Sequence, residues 1–142
     1  MKTKPIERCR ICHCKLHRSK EYARPTNKGR AGATRHHFVA ERFFGRSTNR
    51  RGSSRPAIFS ACPWDYEGKD LVLCYECHEE LVHNPVLLPE DFEILRELVL
   101  AKGFSEEDKP DHREKIAGRI RLFHEAIAMG LRQMAADFKL RK

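Results

Sequence analysis

The sequence predicts an α+β fold, with a strand-bearing first part over residues 1–85 and a helical extension over 86–142. Three observations predict it. Two short stretches, Thr34 to Phe44 and Asp70 to Leu73, are rich in aromatic and β-favouring residues. From Cys77 onward, apolar residues recur three or four positions apart among charged ones, which is the period of a helix. Two Cys-x-x-Cys pairs, Cys9/Cys12 and Cys74/Cys77, flank the first part and would tie its ends together.

In chain order, residues 1–8 are a basic lead-in without the apolar segment of a secretory signal. Cys9-Arg10-Ile11-Cys12 has the compact spacing that lets two thiolates reach one ion. Residues 19–33 are polar, with Pro25, Asn27, Gly29 and Gly32 as turn signals. The first strand is expected over 34–44. The segment GRSTNRRGSSRP, 45–56, is too polar to bury, and 57–64 reads as a short strand or an ordered insertion. Residues 70–73 form the second strand candidate. A helix should start near Cys77, with Leu81 and Val82 apolar among Glu79, Glu80 and His83, and stop at Asn84-Pro85. Leu88-Pro89-Glu90-Asp91 opens the next helix with acidic residues that favour its dipole, and Gly103 marks its end. A long helix runs from Asp111 to about Lys139. Its apolar positions, Ile116, Ile120, Phe123, Ile127, Leu131, Met134 and Phe138, make one face suited to packing on its own domain or on a twin copy in a homodimer.

At 142 residues the chain fits one domain, or a small domain with a helical appendage. No apolar run reaches ~18 residues, so no membrane span is expected, and the protein should be cytoplasmic. Charge is unevenly spread. Residues 1–61 hold 16 Lys/Arg against 3 Asp/Glu, a net of +13, while 62–142 carry a net of −5. A basic half facing an acidic half points to an anionic polymer as partner of the first half. Arg46, Arg50, Arg51 and Arg55, interleaved with Gly and Ser, suit contact with phosphates rather than with bases.

The six cysteines are Cys9, Cys12, Cys14, Cys62, Cys74 and Cys77. In an intracellular chain, two such pairs read as zinc ligands rather than disulfides. Four thiolates from Cys9, Cys12, Cys74 and Cys77 would make a closed tetrahedral Zn2+ site with no position open for chemistry. His13 and Cys14 compete with Cys12 for a place in it. Cys62 is left over, a small hydrophobe beside Pro63 and Trp64. A second constellation starts at His36-His37. Neighbours on a strand point to opposite faces, so one imidazole can bind a metal while the other faces a substrate. His36 and His78 would each give an imidazole to a divalent ion, with His78 aimed by the cysteine before it. His83 is a third candidate. Five residues on, it lies about 140° around an α-helix and joins only where the helix is tightened or irregular.

With these residues in place, the chain resembles the HNH family, the ββα-metal finger nucleases, in the version braced by a zinc knuckle. The resembling segments are CRIC at 9–12, RHHFVAERFFG at 35–45 and LVLCYECHEELVHN at 71–84, within a little over half the chain. The resemblance implies a zinc-braced finger followed by two C-terminal helices. It also implies hydrolysis of DNA phosphodiester bonds, with His36 and His78 as ligands of a catalytic ion (Mg2+, Mn2+, Ni2+ or Zn2+) and His37 as general base. Neutral histidine suits proton abstraction from water near pH 7, and a cation offsets the charge gathering on the scissile phosphate. The family's central Asn, a few residues before the second cysteine pair, has no counterpart in Glu67-Gly68-Lys69-Asp70. Asp70 and Asn49 are the candidates for its role. The alternative activity is a non-catalytic zinc-containing nucleic-acid-binding module. A protein adaptor working through the long last helix is a third reading.

Overall fold

A computed structural model describes residues 5–18, 31–45, 56–109 and 114–140. The chain divides into two units, Met1–Val86 and Leu87–Lys142. Among the described residues the fold is a small α+β one, with a two-stranded antiparallel sheet, a π-helix and two α-helices.

In the first unit, β1 (Ala33–His37) pairs with β2 (Asp70–Cys74), Ala33 opposite Cys74 and His37 opposite Asp70. Alternation along β1 sends Thr34 and His36 to one face and Arg35 and His37 to the other. The expected strand over 34–44 is strand only in its first part. Glu41–Phe44 instead form a 3-10 turn closed by Gly45 in the left-handed region, φ 77°. The cause is aromatic packing. The turn brings Phe43 and Phe44 onto Phe59, which also meets Trp64. The Phe43 carbonyl accepts the N–H groups of Ile58 and Phe59, at 2.8 and 3.0 Å. Residues 57–64 are therefore an ordered insertion and not a strand.

The core cluster between the N-terminal turn and the sheet is thin and largely sulfur: Cys9, Leu16, Leu73, Cys74 and Cys77. The N-terminal segment joins the sheet at His17, whose N–H donates to the Ala31 carbonyl at 3.0 Å and whose carbonyl accepts the Ala33 N–H at 2.8 Å. After β2 the chain winds into the π-helix, Glu76–Val82. Asn84 stops it, its side-chain amide donating to the Glu79 and Glu80 carbonyls at 3.1 and 3.2 Å.

In the second unit, α1 (Pro89–Ala101) starts where Pro89 and the acidic residues place it. The Asp91 carboxylate accepts the Leu88 N–H at 2.8 Å. Gly103 ends it with φ 75°. In α2 (Glu114–Asp137) the buried positions are Ala117, Gly118 and Leu122. Gly118 lies against the Phe104 ring so closely that a Cβ would collide with it. Arg119 holds the same joint, donating to the Phe104 carbonyl and to the Glu106 carboxylate, both at 2.9 Å. The expected apolar face is only partly used. Ile116, Ile120 and Phe123 are half-buried, while Ile127, Leu131, Met134 and Phe138 are exposed. No helix among the described residues is long and apolar enough to cross a membrane.

Candidate metal centre

The Sγ atoms of Cys9, Cys12, Cys74 and Cys77 lie within 4.8 Å of one another, which joins the two cysteine pairs. Local backbone geometry makes this possible. His13 adopts φ 66°, and its N–H donates to the Cys9 carbonyl at 3.0 Å, folding the first pair into a tight turn. The Ile11 N–H points at the Cys9 sulfur at 3.5 Å, and the Cys77 N–H at the Cys74 sulfur at 3.3 Å, so each pair turns an amide onto its first thiol. Cys12 and Cys74 sulfurs are 3.8 Å apart, too far for an S–S bond. A tetrahedral ion with Zn–S bonds of ~2.3 Å would set its sulfurs ~3.8 Å apart. The cluster could hold a structural metal such as zinc.

Electrostatics fit a cation there. Burial pushes the Cys77 thiol up, and the sulfurs of Cys74, Cys12 and Cys9 push it further; Cys74 is also raised, by burial first. Burial raises Cys9 too, but amides of Cys74, Cys12 and Ile11 outweigh it and bring that thiol down to about 6. Packing so many sulfurs together favours protonated thiols unless a positive ion joins them. Cys14 stands outside the four, half-buried against them, its thiol pushed up to about 12 by burial and by the thiols of Cys12 and Cys74. Cys12, not Cys14, completes the set. Cys62 lies apart and is half-buried, donating to the Trp64 carbonyl at 2.9 Å.

The second cluster joins His36 from β1 to His78 from the π-helix and His83, which caps that helix at its C-terminus, with one nitrogen of each within 4.8 Å of the others. Ring centroids are 5.1 Å apart for His36 and His78, 5.8 Å for His36 and His83, and 4.6 Å for His78 and His83. His83 joins because the turn is irregular in one particular sense. It is widened to i→i+5 hydrogen bonds rather than tightened, which carries a residue five positions on back over the first.

Thr34 decides which nitrogen of His78 is available. This residue is 1% exposed, and its hydroxyl donates its only proton to the Leu73 carbonyl at 2.9 Å. It can therefore only accept from His78 Nδ1, 2.9 Å away. The proton of neutral His78 then sits on Nδ1, and Nε2 keeps the lone pair an ion would use. Glu79 lies beside two of the three rings, 3.6 Å from His78 Nδ1 and 3.4 Å from His83 Nδ1. Burial, followed by the neighbouring imidazoles, lowers the pKa of His36; burial also lowers that of His78, against the pull of Glu79. Both shifts favour the neutral imidazole, the form that could hold a metal ion. Thr34→Val should keep the shape and lose the hydrogen bond. It should weaken divalent-ion binding at the histidines by about 10–100-fold, the usual cost of losing such a supporting contact. Calorimetric titration with Ni2+ would check this, and unchanged affinity would remove Thr34 from the site.

His37 is not part of the trio. It points to the other face of β1, half-buried, its Nε2 3.8 Å from the Glu41 carboxylate. The doublet is split as strand geometry requires. Asp70, opposite His37 in the ladder, has Arg35 Nη1 3.8 Å from its carboxylate. Asn49 and the four loop arginines, Arg46, Arg50, Arg51 and Arg55, lie outside the described residues. Thr34, Glu41 and Glu79 are partners that the sequence reading missed. Each had a positional signal: Thr34 two residues before His36 on one strand face, Glu41 four after His37, and Glu79 four before His83.

No family model matches the chain, and searches of curated proteins and of solved structures returned no match.

Proposed function

We propose that the chain is a metal-dependent endonuclease of HNH type that hydrolyses DNA phosphodiester bonds. The observation that carries this reading is the split doublet. His36 converges with His78 and His83, while His37, next to it, is turned away and left with a carboxylate neighbour. A divalent ion bound by the three imidazoles would offset the charge building up on the scissile phosphate. His37 accepts the proton of the attacking water, and Glu41 favours the imidazolium that results. Thr34 and Glu79 orient the ligating rings. The sulfur cluster, loaded with Zn2+, holds Cys77 and so aims His78. The net charge of +13 over residues 1–61 suits a polyanionic partner.

Supercoiled plasmid incubated with the protein tests the reading. Relaxed circles should appear with Mg2+, Mn2+ or Ni2+ and not without added ion, nicking being what a single histidine centre among the described residues would give. Tight DNA binding with no strand cleavage under any of these ions would sink it. That result would favour a zinc-containing nucleic-acid-binding module without catalysis, which the missing central Asn already favours.

A further inference from the structure

An exposed aromatic pair, whose first member is next to the histidine doublet in sequence, is not used by the proposed hydrolysis. Phe38 follows His37 directly, and its ring lies 5.3 Å from that of Tyr66, the two planes at 55°. The rings are 50% and 53% exposed. Elsewhere in this unit, Phe43, Phe44, Phe59 and Trp64 pack on one another, with Phe59 buried. The Phe38–Tyr66 pair instead keeps half of each ring in water.

Backbone bonds, rather than burial, hold this pair in place. The Phe38 N–H donates to the Lys69 carbonyl at 3.1 Å, which extends the ladder one step past His37 and Asp70. The Lys69 N–H donates to the Tyr66 carbonyl at 3.1 Å, closing a turn. Gly68 takes φ 74° inside it, a conformation that a side chain would strain. Tyr66 is therefore presented at a defined place next to Phe38, with the exposed Lys69 on the same turn.

We infer that Phe38 and Tyr66 form a stacking platform for one unpaired DNA base next to the scissile phosphate. The inference rests on the nuclease reading and adds the form of DNA that the centre prefers. A base inside a duplex is already stacked on both sides. An unpaired base offers a free π-face, and every base has one, so such a platform selects for strand state and not for sequence. The occupant is argued from position and charge. Phe38 adjoins His37, whose partner in the proposed reaction is a nucleotide, and belongs to the stretch 1–61 that carries a net of +13. Consecutive Cα atoms are ~3.8 Å apart, which keeps a base on Phe38 within a nucleotide's reach of a phosphate held between His36 and His37. Lys69, exposed on the same turn, supplies a cation for a neighbouring phosphate.

The test is binding of the full chain, purified with zinc and without other divalent ions, to two duplexes. One carries 2-aminopurine unpaired in a one-nucleotide gap, and the other carries it fully paired. The gapped duplex should bind more tightly, and its fluorescence should be quenched on binding. Phe38→Leu and Tyr66→Leu should each weaken gapped-duplex binding roughly 5–150-fold, the span of one base–aromatic stack, and leave the paired duplex as before. Tyr66→Phe, which keeps the ring, should behave as wild type. Wild-type binding to both duplexes without quenching and without preference overturns the platform and leaves the DNA reading standing. Failure to bind either duplex overturns both.

Discussion

His37→Ala is expected to lower plasmid cleavage by about 10²–10⁴-fold, the usual contribution of a positioned acid–base group, with folding, zinc content and DNA affinity nearly unchanged. The side chain belongs to neither candidate metal cluster, so removing it takes away no ligand. His36→Ala should act differently. It withdraws one of three imidazoles, so activity should need more divalent ion, and excess ion should restore part of the rate. The two variants separate proton transfer from metal loading at adjacent positions. A rate for His37→Ala equal to wild type, under the same ion, would end the mechanism in which this histidine is the base.

Cys77→Ala should unfold the first unit rather than loosen it. Three of the five buried residues in the cluster that packs the N-terminal turn on the sheet are cysteines. Structural zinc in small domains contributes on the order of 10–16 kcal/mol at neutral pH, as much as or more than the ~5–15 kcal/mol net stability of a whole domain. Trp64 is the single tryptophan and packs against buried Phe59 in this unit, so its fluorescence reports the loss. The expected result is an emission shifted to that of exposed indole at room temperature, together with less than one bound zinc per chain. Cys62→Ala, which removes a thiol outside the cluster, should retain both signals. A Cys77→Ala protein with wild-type zinc content and melting temperature would refute a structural role for the four thiols.

The sequence made the cysteine pairs, the second strand and the limits of α1 legible, because each rests on short-range chemistry. Cys-x-x-Cys is a turn, Leu88-Pro89-Glu90-Asp91 is a helix start, and Gly103 is a stop. The end of β1 was not legible. Phe43 and Phe44 have high strand propensity, and only Phe59, a contact well separated in sequence, shows why they sit in a turn. The π-helix was likewise beyond reach, since apolar spacing over seven residues does not separate i→i+4 from i→i+5 winding. His83 could be named as a candidate but not placed. Along α2 the apolar period was right, but Ala117 and Gly118 carry the close contact, and small residues weigh little in a pattern of large ones.

Cys77 and His78 share a peptide bond, the first belonging to the sulfur cluster and the second to the imidazole trio. Two binding equilibria that draw on one stretch of backbone are not independent. An ion among the thiols fixes Cys77 and so removes in advance part of the disorder that His78 must lose on ligation. Whatever factor this adds to affinity at the histidines must appear, by thermodynamic reciprocity, as the same factor at the thiols. The two ions should then load cooperatively. A divalent ion at the histidines should slow extraction of zinc by a chelator, and equal extraction rates with and without that ion would show the two sites to be uncoupled.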